Sequence, residues 1–190
     1  MRVITGSARG RSLKELEGME TRPPTDRVKE GMFSALQFDI EGRRVLDLFA
    51  GTGQLGIECL SRGASSAVFV DRRKDAVALI RENLKATELT QNARVVSGDS
   101  MENLKGVREK FDLIFLDPPY AEDLLETAIA HIARFDILAP HGIIAAEHPV
   151  GKVLPTLAPP YRVQRTYRYG KIALPLYRRD ANETNEEMDQ

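Results

Sequence analysis

Between residues 44 and 147 the sequence alternates short apolar runs with longer amphipathic segments, and this alternation restricts the fold more than any other feature. Apolar runs bounded by turn residues predict buried strands, and the segments between them predict helices. The predicted strands are VLDLF (45–49), AVFV (67–70), ARVVS (93–97), FDLIFL (111–116) and GIIAAE (142–147), and the predicted helices cover 54–62, 73–86 and 122–134. Strands and helices that alternate in this way form a parallel sheet with helices on both faces. The sequence therefore predicts an α/β fold with a doubly wound, Rossmann-like sheet.

The amino-terminal segment predicts an extension in front of this sheet. RVITGSARGRSLK (2–14) has two short β-prone pieces around a Gly-Ser-Ala-Arg-Gly turn, which favours a β-hairpin. Thr25 or Asp26 can then cap a helix with an apolar face. We expect residues 1–40 to form this hairpin and helix.

The carboxy-terminal segment predicts a second hairpin. YRVQRTYRYGKIALPLYRR (161–179) has two β-prone runs about Tyr169-Gly170, which favours an antiparallel hairpin at the sheet edge. Pro175 suits an edge strand better than an interior one, because proline cannot donate a ladder hydrogen bond. We expect one domain over residues 1–179.

Composition restricts the class of protein. The chain is 42% hydrophobic and 29% charged, and it has no apolar run of membrane-spanning length. Its first residues, MRVITGSARGR, lack the apolar core of a signal peptide, so we expect a cytoplasmic protein without membrane contact. The single cysteine, Cys59, has no cysteine or histidine near it in sequence, which predicts neither a disulfide nor a metal site.

Charge is divided unevenly along the chain. The formal net charge is −1, but segment 180–190 has five acidic and no basic residues, so residues 1–179 carry +4. We expect this acidic tail to be disordered. The cations of the first hairpin are Arg2, Arg9, Arg11 and Lys14. They form either a nucleic-acid contact surface or a solvated hairpin, and the sequence does not choose between the two.

A glycine-rich loop follows the first predicted strand. Gly51, Gly53 and Gly56 satisfy the pattern G-x-G-x-x-G between a strand and a helix. Glycine lets the backbone approach a ligand closely, and the helix start supplies free N–H donors. Asp71 ends the second strand about 20 residues later, where a carboxylate can accept both hydroxyls of a ribose. The loop and Asp71 therefore predict a bound nucleoside.

Two nucleoside cofactors compete for this loop, a nicotinamide dinucleotide and S-adenosylmethionine. Asp47 precedes the glycines and would repel a pyrophosphate, whereas it would attract the α-ammonium group of a methionine moiety. The alternative for Asp47 is an exposed acid without a role. Asp99 follows the third strand and can accept the adenine amino group, although acids at such positions are often only caps. We favour S-adenosylmethionine.

The fourth predicted strand ends at Asp117 and is followed by Pro118, Pro119 and Tyr120. Proline neither pairs within a sheet nor continues a helix, so the strand stops at a stiff turn. Ligands of open α/β sheets bind outside the carboxyl ends of the strands. Asp117 and the Pro118 carbonyl can each accept one N–H of an exocyclic amino group, while Tyr120 stacks on an extruded base. A covalent Cys59 adduct is disfavoured because no base lies near that thiol in sequence.

In this order DLFAGTG (47–53), Asp71, Asp99 and DPPY (117–120) resemble the motifs of class I S-adenosylmethionine-dependent methyltransferases. RPPTDRVKEGMF (22–33), the basic start and the YGKIALPLYRR ending narrow the resemblance to the RsmD family of bacterial 16S ribosomal RNA guanine-N2 methyltransferases. The resemblance implies a seven-stranded sheet with its last strand antiparallel, a guanine of small-subunit ribosomal RNA as substrate, and S-adenosylhomocysteine as product.

The resemblance also implies a set of cofactor contacts. These are Thr25, Arg27, Asp47, Phe49, Ala50, Gly51, Thr52, Gly53, Asp71, Arg72, Asp99 and Ser100. Thr25 and Arg27 would reach the carboxylate end of the cofactor. Pro24 and Gly31 depart from the pattern of a more regular helix start.

We expect a monomer without bound metal that acts on 16S ribosomal RNA or the small ribosomal subunit. Three alternatives remain: a DNA or other RNA amino-methyltransferase with the same DPPY chemistry, a nicotinamide-dependent oxidoreductase, and a non-catalytic RNA-binding module.

Overall fold

The computed structural model describes residues 1–16, 26–119 and 123–181, which build one eight-stranded sheet with helices on both faces. The helices are α1 (Asp26–Ala35), α2 (Gln54–Ser61), α3 (Lys74–Thr87), α4 (Ser100–Gly106) and α5 (Leu124–Arg134), with a 3-10 turn at Thr90–Asn92. The strands are β1 (Arg44–Asp47), β2 (Ser66–Asp71), β3 (Ala93–Ser97), β4 (Phe111–Leu116), β5 (Leu138–Ala146), β6 (His148–Pro149), β7 (Tyr161–Tyr169) and β8 (Ile172–Arg179). Within the described residues, no helix is both long and apolar enough to cross a membrane.

The strand order is β3-β2-β1-β4-β5-β8-β6, and β7 pairs with the other side of β8 along most of its length. Strands β1 to β5 run parallel, whereas β8 runs antiparallel to β5, β6 and β7. The prediction of a Rossmann-like, mostly parallel sheet with an antiparallel last strand is confirmed. The strand beyond the expected seven is β6, which adds only two residues beside β8.

Pro175 lies in an interior strand, so the prediction that it suits an edge strand is wrong. Strand β8 runs between β5 and β7, and Pro175 pairs with Thr166 of β7. On the other side, pairing with β5 ends at Leu176 and pairing with β6 begins at Ala173. Pro175 occupies the gap between these two ladders, where no N–H donor is required on that side.

Two hydrophobic layers cover the sheet. The first packs α1, α2 and α3 on one face and includes Phe33, Ile57, Phe69, Ile80 and Phe115. The second packs α4 and α5 on the other face. The amino-terminal segment contributes Val3, Ala8 and Leu13 to the first layer, so it lies on the same side of the sheet as α1.

The amino-terminal hairpin is present, but without a regular ladder. One antiparallel bridge joins Arg2 to Ser12, and Val3 N–H donates to the Arg11 carbonyl at 3.0 Å. The segment is held to α2 by the buried Glu58 carboxylate, which accepts the N–H groups of Ile4 and Thr5 at 2.7 and 3.0 Å. The hairpin is therefore fixed to the helix that follows the glycine loop.

Helix α1 crosses the first layer between β4 and β7. Phe33 packs on Phe115 of β4, with ring centroids 6.0 Å apart. A Cβ atom at Gly31 would lie 2.4 Å from the Tyr169 ring of β7. The departure at Gly31 therefore has a packing cause, because a glycine lets the helix approach that ring.

Candidate active site

Carboxylates follow neighbouring parallel strands at one edge of the sheet. Across the sheet, in the order β2, β1, β4 and β5, the strand ends carry Asp71, Asp47, Asp117 and Glu147. Asp99 follows β3 after one intervening residue. Since the carboxyl ends of parallel strands meet at the same edge, these acids form a row beside the glycine loop.

Asp71 holds the glycine loop in place. Its Oδ2 accepts the Gly51 N–H at 2.8 Å, and its Oδ1 accepts the Arg73 N–H at 2.9 Å. Gly53 has φ 78° and caps the start of α2 in a left-handed conformation. A Cβ atom at Gly51 would meet nothing within 4 Å. The loop is thus fixed from below by Asp71 and open on the side where a ligand can approach.

Asn83 of α3 ties the same loop to the amino-terminal segment. Its amide nitrogen donates to the Thr52 carbonyl at 2.9 Å and to the Lys14 carbonyl at 3.1 Å. Its Oδ1 accepts the Lys14 N–H at 2.8 Å. The Asn83 side chain is fully buried. The only signal in the sequence for its role in holding the loop was a polar residue on the apolar face of a predicted helix.

Asp47 is buried beneath the loop. Only 2% of its surface is exposed, and its Oδ2 accepts the Gly56 N–H of α2 at 3.1 Å. Burial raises the pKa of Asp47 to about 7, and the nearby Asp71 charge adds to this, while the Gly56 hydrogen bond opposes it. A cation bound beside Asp47 would favour its charged form.

Asp117 and Glu147 end adjacent strands. Glu147 N–H donates to the Leu116 carbonyl at 2.9 Å, which extends the pairing of β5 with β4 to the residue before Asp117. Burial, together with the charges of Glu147 and Asp47, raises the pKa of Asp117 well above its ordinary value. Glu147 is 3% exposed and was not predicted as a site residue. The signal was present, since Glu147 ends a predicted parallel strand as Asp71 and Asp117 do.

Asp99 caps α4. Its Oδ1 accepts the N–H groups of Met101 and Glu102 at 2.9 and 3.0 Å, which is the capping role considered as the alternative. Its side chain is exposed at the same edge. The next residue, Ser100, is buried and donates to the Leu48 carbonyl at 2.7 Å. Contact of Asp99 with adenine and of Ser100 with the cofactor stay predictions.

The remaining predicted residues differ in how they are placed. Ala50 is buried and donates its N–H to the Val70 carbonyl at 3.0 Å, Phe49 packs partly against the second layer, and Arg72 is exposed. Pro118 is buried and Pro119 is exposed. Thr25, Tyr120 and the side chain of Arg27 lie outside the described residues.

The four cations of the amino-terminal hairpin divide into two pairs. Arg11 donates to the Ala86 carbonyl at 2.9 Å and pairs with Glu88 at 3.0 Å, and Lys14 pairs with Glu82 at 2.7 Å, so both contact α3. Arg2 and Arg9 face solvent and, with Glu30 of α1, line a cavity of about 280 Å³. The second pair is accessible to a polyanion.

The groups at this edge match a nucleoside with a cationic amino-acid end. Gln54, the first residue of α2, has a buried Oε1 without a hydrogen-bond partner within the described chain, so it can accept from a ligand. The charged form of Asp47 suits an ammonium group and opposes a pyrophosphate. These residues fit S-adenosylmethionine better than a dinucleotide. Among the described residues, no group of three or more His, Cys, Asp or Glu side chains could hold a metal ion.

Comparison with known proteins adds independent information. Residues 1–178 match the family described as "Conserved hypothetical protein 95". The chain is 42% identical to YlbH of Bacillus subtilis over 182 residues, which cover 94% of this chain and 99% of YlbH. It is 36% identical over 181 residues to "Ribosomal RNA small subunit methyltransferase D" of Escherichia coli, covering 95% and 91% of the two chains. The solved structure of Escherichia coli yhhF superposes with a TM-score of 0.85 at 35% identity, over 95% of this chain and 98% of that one.

Proposed function

The chain belongs to the RsmD family, which the matching family model describes as "Conserved hypothetical protein 95". From this membership we propose that the chain methylates small-subunit ribosomal RNA with S-adenosylmethionine as cofactor. The acceptor is the exocyclic N2 amino group of a guanine in 16S ribosomal RNA. Relatives named as small-subunit ribosomal RNA methyltransferases support the class of substrate. The observation on this chain that best supports the proposal is the row of strand-end carboxylates beside the glycine loop.

The cofactor half of the site lies around β1 and β2. The cofactor, when bound, supplies an electrophilic methyl group on a sulfonium. Asp71 keeps Gly51 in position and has lone pairs left for ribose hydroxyls, while Asp47 and Gln54 Oε1 can accept from the ammonium end. Asp47 in its charged form also attracts that cation.

The substrate half lies at the end of β4. An exocyclic amino group is a poor nucleophile because its lone pair is delocalised into the ring. When the Asp117 carboxylate and the Pro118 carbonyl each accept one N–H, they turn that lone pair away from the ring. Methylation would leave the nitrogen cationic, and the ionised form of Asp117 would accept the proton that the nitrogen releases.

The RNA substrate and the methylated atom are tested together by one experiment. Labelled cofactor is supplied with naked 16S RNA, assembled small subunits or duplex DNA, and the product is digested to nucleosides. We expect the label in N2-methylguanosine from RNA or subunits. Label in an adenine or cytosine amino group of DNA would instead support the rival amino-methyltransferase.

The role of Asp117 gives a sharper prediction. Asp117→Ala should bind cofactor as the parent does but transfer methyl about 10²- to 10³-fold more slowly, because one electrostatic interaction with the transition state is removed. Asp117→Asn keeps one carbonyl acceptor and should retain part of the activity. Single-turnover rates measure both variants, with Asp123→Ala, which changes an exposed acid six residues later in the sequence, as the matched control.

Thermal unfolding separates this role from a structural one. If Asp117 only terminates its strand, both variants lower the melting temperature and spare turnover per folded molecule. A stable, cofactor-saturated Asp117→Ala enzyme with the parent rate would refute the catalytic role.

A further inference from the structure

The hairpin of β7 and β8 concentrates the positive charge of the domain. Between residues 161 and 179 there are six cations and no carboxylate: Arg162, Arg165, Arg168, Lys171, Arg178 and Arg179. Residues 1–160 together carry a net charge of −2, so this hairpin makes the folded part of the chain basic. None of its residues was predicted to bind a ligand.

Three of these six cations form ion pairs with carboxylates of the same chain. Arg162 pairs with Asp180, Arg178 with Asp39, and Arg179 with Asp136. The other half, Arg165, Arg168 and Lys171, are exposed and pair with no carboxylate in the described part of the chain. These three are free to meet an external anion.

Arg165 also begins a row of flat groups along β7. Its guanidinium lies 4.8 Å from the centroid of the Tyr167 ring. The Tyr167 and Tyr169 rings are parallel within 5°, with centroids 6.5 Å apart. The three residues pair with Leu176, Leu174 and Ile172 of β8, alternate positions that lie on one face of the sheet. We call Arg165, Tyr167 and Tyr169 the β7 row.

The β7 row leads toward the catalytic edge. Pairing of β5 with β8 ends at Ala145 and Leu176, so Leu174 and Ile172, with the tyrosines opposite them, lie at the edge where Asp117 follows β4. Three strand spacings separate β4 from β7, about 14 Å in all. Helix α1 connects them on this face, through Phe33 on Phe115 and Gly31 beneath Tyr169. A nucleic acid bound on the β7 row would therefore lie close to the candidate active site.

Phe38 supplies a further aromatic group at the outer end of the same face. It is 92% exposed, and its neighbour Asp39 contacts Arg178, which pairs with Arg162 of β7. A phenylalanine this exposed gains nothing from packing within the fold.

We propose that the β7 row and the cations beside it bind a single-stranded RNA segment that flanks the target guanine. This inference rests on the proposed function. Bases stack on tyrosine rings and on an arginine plane without sequence preference, while Arg168, on the other face of this edge strand, and Lys171, at its turn, meet the phosphates. A peptide strand added to this edge is disfavoured, because β7 presents arginines and only one exposed large apolar residue, Val163.

Two variants test the two kinds of interaction. Arg165→Ala/Arg168→Ala/Lys171→Ala should weaken binding of a naked 16S RNA fragment and flatten its salt dependence, by about 0.7 in slope for each phosphate that the protein no longer neutralises. Tyr167→Leu keeps apolar bulk on the core and should lower affinity about 5- to 150-fold, the loss of one stacked base, with the slope unchanged. Arg81→Ala/Lys85→Ala/Arg108→Ala removes three exposed cations from other surfaces and is the matched control.

In all three variants, the cofactor affinity measured by calorimetry and the melting temperature measured by thermal unfolding should match those of the parent. The inference would be overturned if both β7 variants bound RNA with the affinity and the salt dependence of the parent. It would also be overturned if the variants bound assembled subunits more weakly but naked RNA as the parent does, because that result indicates a protein partner. RNA binding is measured without methyl transfer. A parent enzyme that methylates no RNA therefore contradicts the proposed function separately, while an active parent with unaffected β7 variants contradicts only this inference.

Discussion

Asp47 lies inside the protein, and its pKa of about 7 stands well above the ordinary value of 3.8. The folded protein therefore holds a proton on this carboxyl more tightly than the unfolded chain does. This contribution to stability is fully present below pH 3.8 and is lost as the pH rises to about 7. The charge that would attract a cationic cofactor thus appears at the pH at which the empty site is least stable.

Asp47→Asn separates these two effects. The amide keeps an acceptor for the Gly56 N–H but no longer carries a buried charge, so the free energy of unfolding at pH 8 should rise by up to about 4 kcal/mol. At pH 4 the variant and the parent should be equally stable. Cofactor affinity at pH 8 should fall by about 10-fold or more, because a charge-assisted hydrogen bond is removed.

Denaturant unfolding at the two pH values and calorimetry with the cofactor measure these changes, with Asp123→Asn as an exposed control. Equal loss of stability at pH 4 and pH 8 would show that the carboxyl is needed for packing and not for its charge.

The sequence predicted where individual site residues lie in the sheet, but it did not predict which groups their side chains bind. The strand-end rule placed Asp71, Asp99 and Asp117 at one edge, and applied once more it would have found Glu147. It did not show that Asp71 binds the glycine loop or that Asp99 caps α4, because those contacts depend on how the following loops turn back. Asn83 was missed for the same reason, since its two partners lie far from it in sequence.

At the scale of elements, α2 is the helix that carries the site. It packs so closely on β2 that a Cβ atom at Gly56 would lie 2.3 Å from the buried Phe69 ring. Gly56→Ala gains about 1 kcal/mol in helix propensity but must displace either that ring or the helix. Overpacking usually costs more, so we expect a net loss of about 1–3 kcal/mol in unfolding free energy.

The same change should weaken cofactor binding, because α2 begins at the glycine loop and Gly56 N–H donates to Asp47. Gly106→Ala at the end of α4 is the control, since a Cβ atom there meets nothing within 4 Å. Chemical denaturation and calorimetry of both variants check the prediction, and a Gly56→Ala protein as stable as Gly106→Ala would contradict it.

Sequence patterns predicted the bounds of two strands but not the shortest α-helix of the described residues. Strands β3 and β4 have the predicted bounds, because turn residues follow each β-prone run and leave little choice of where the strand ends. Helix α4 was missed because its seven residues show too little periodicity and its first residues were assigned to the ligand. The interior position of Pro175 was unpredictable, since it depends on a gap between two ladders that are distant in sequence.

For the molecule as a whole, charge is separated into regions of opposite sign. The first 14 residues contain four cations and no acid, and the β7 and β8 hairpin contains six cations and no acid. Both lie beside α1, the first at Glu30 and the second at Gly31, whereas residues 15–160 carry a net charge of −6. A net charge near zero therefore conceals a basic face that suits a polyanion.

The acidic tail should oppose RNA binding to this basic face. Segment 182–190 lies outside the described residues, and its sequence has four acids and no base, so its removal changes the formal net charge from −1 to +3. Unscreened repulsion lowers association rates steeply at low salt, and the Debye length falls from about 30 Å at 0.01 M salt to about 3 Å at 1 M. A chain ending at residue 181 should therefore associate with 16S RNA on the order of 10-fold faster at low salt, with the advantage gone near 1 M.

Replacing Glu183, Glu186 and Glu187 by Gln and Asp189 by Asn keeps the length and removes only the charge, so this variant should behave as the truncated chain does. Stopped-flow association across a salt series measures both, and cofactor affinity should stay at the parent value. If truncation accelerates binding and the neutralised tail does not, the tail acts by occupying space; if neither changes the rate, the four acids lie too far from the basic face to repel RNA.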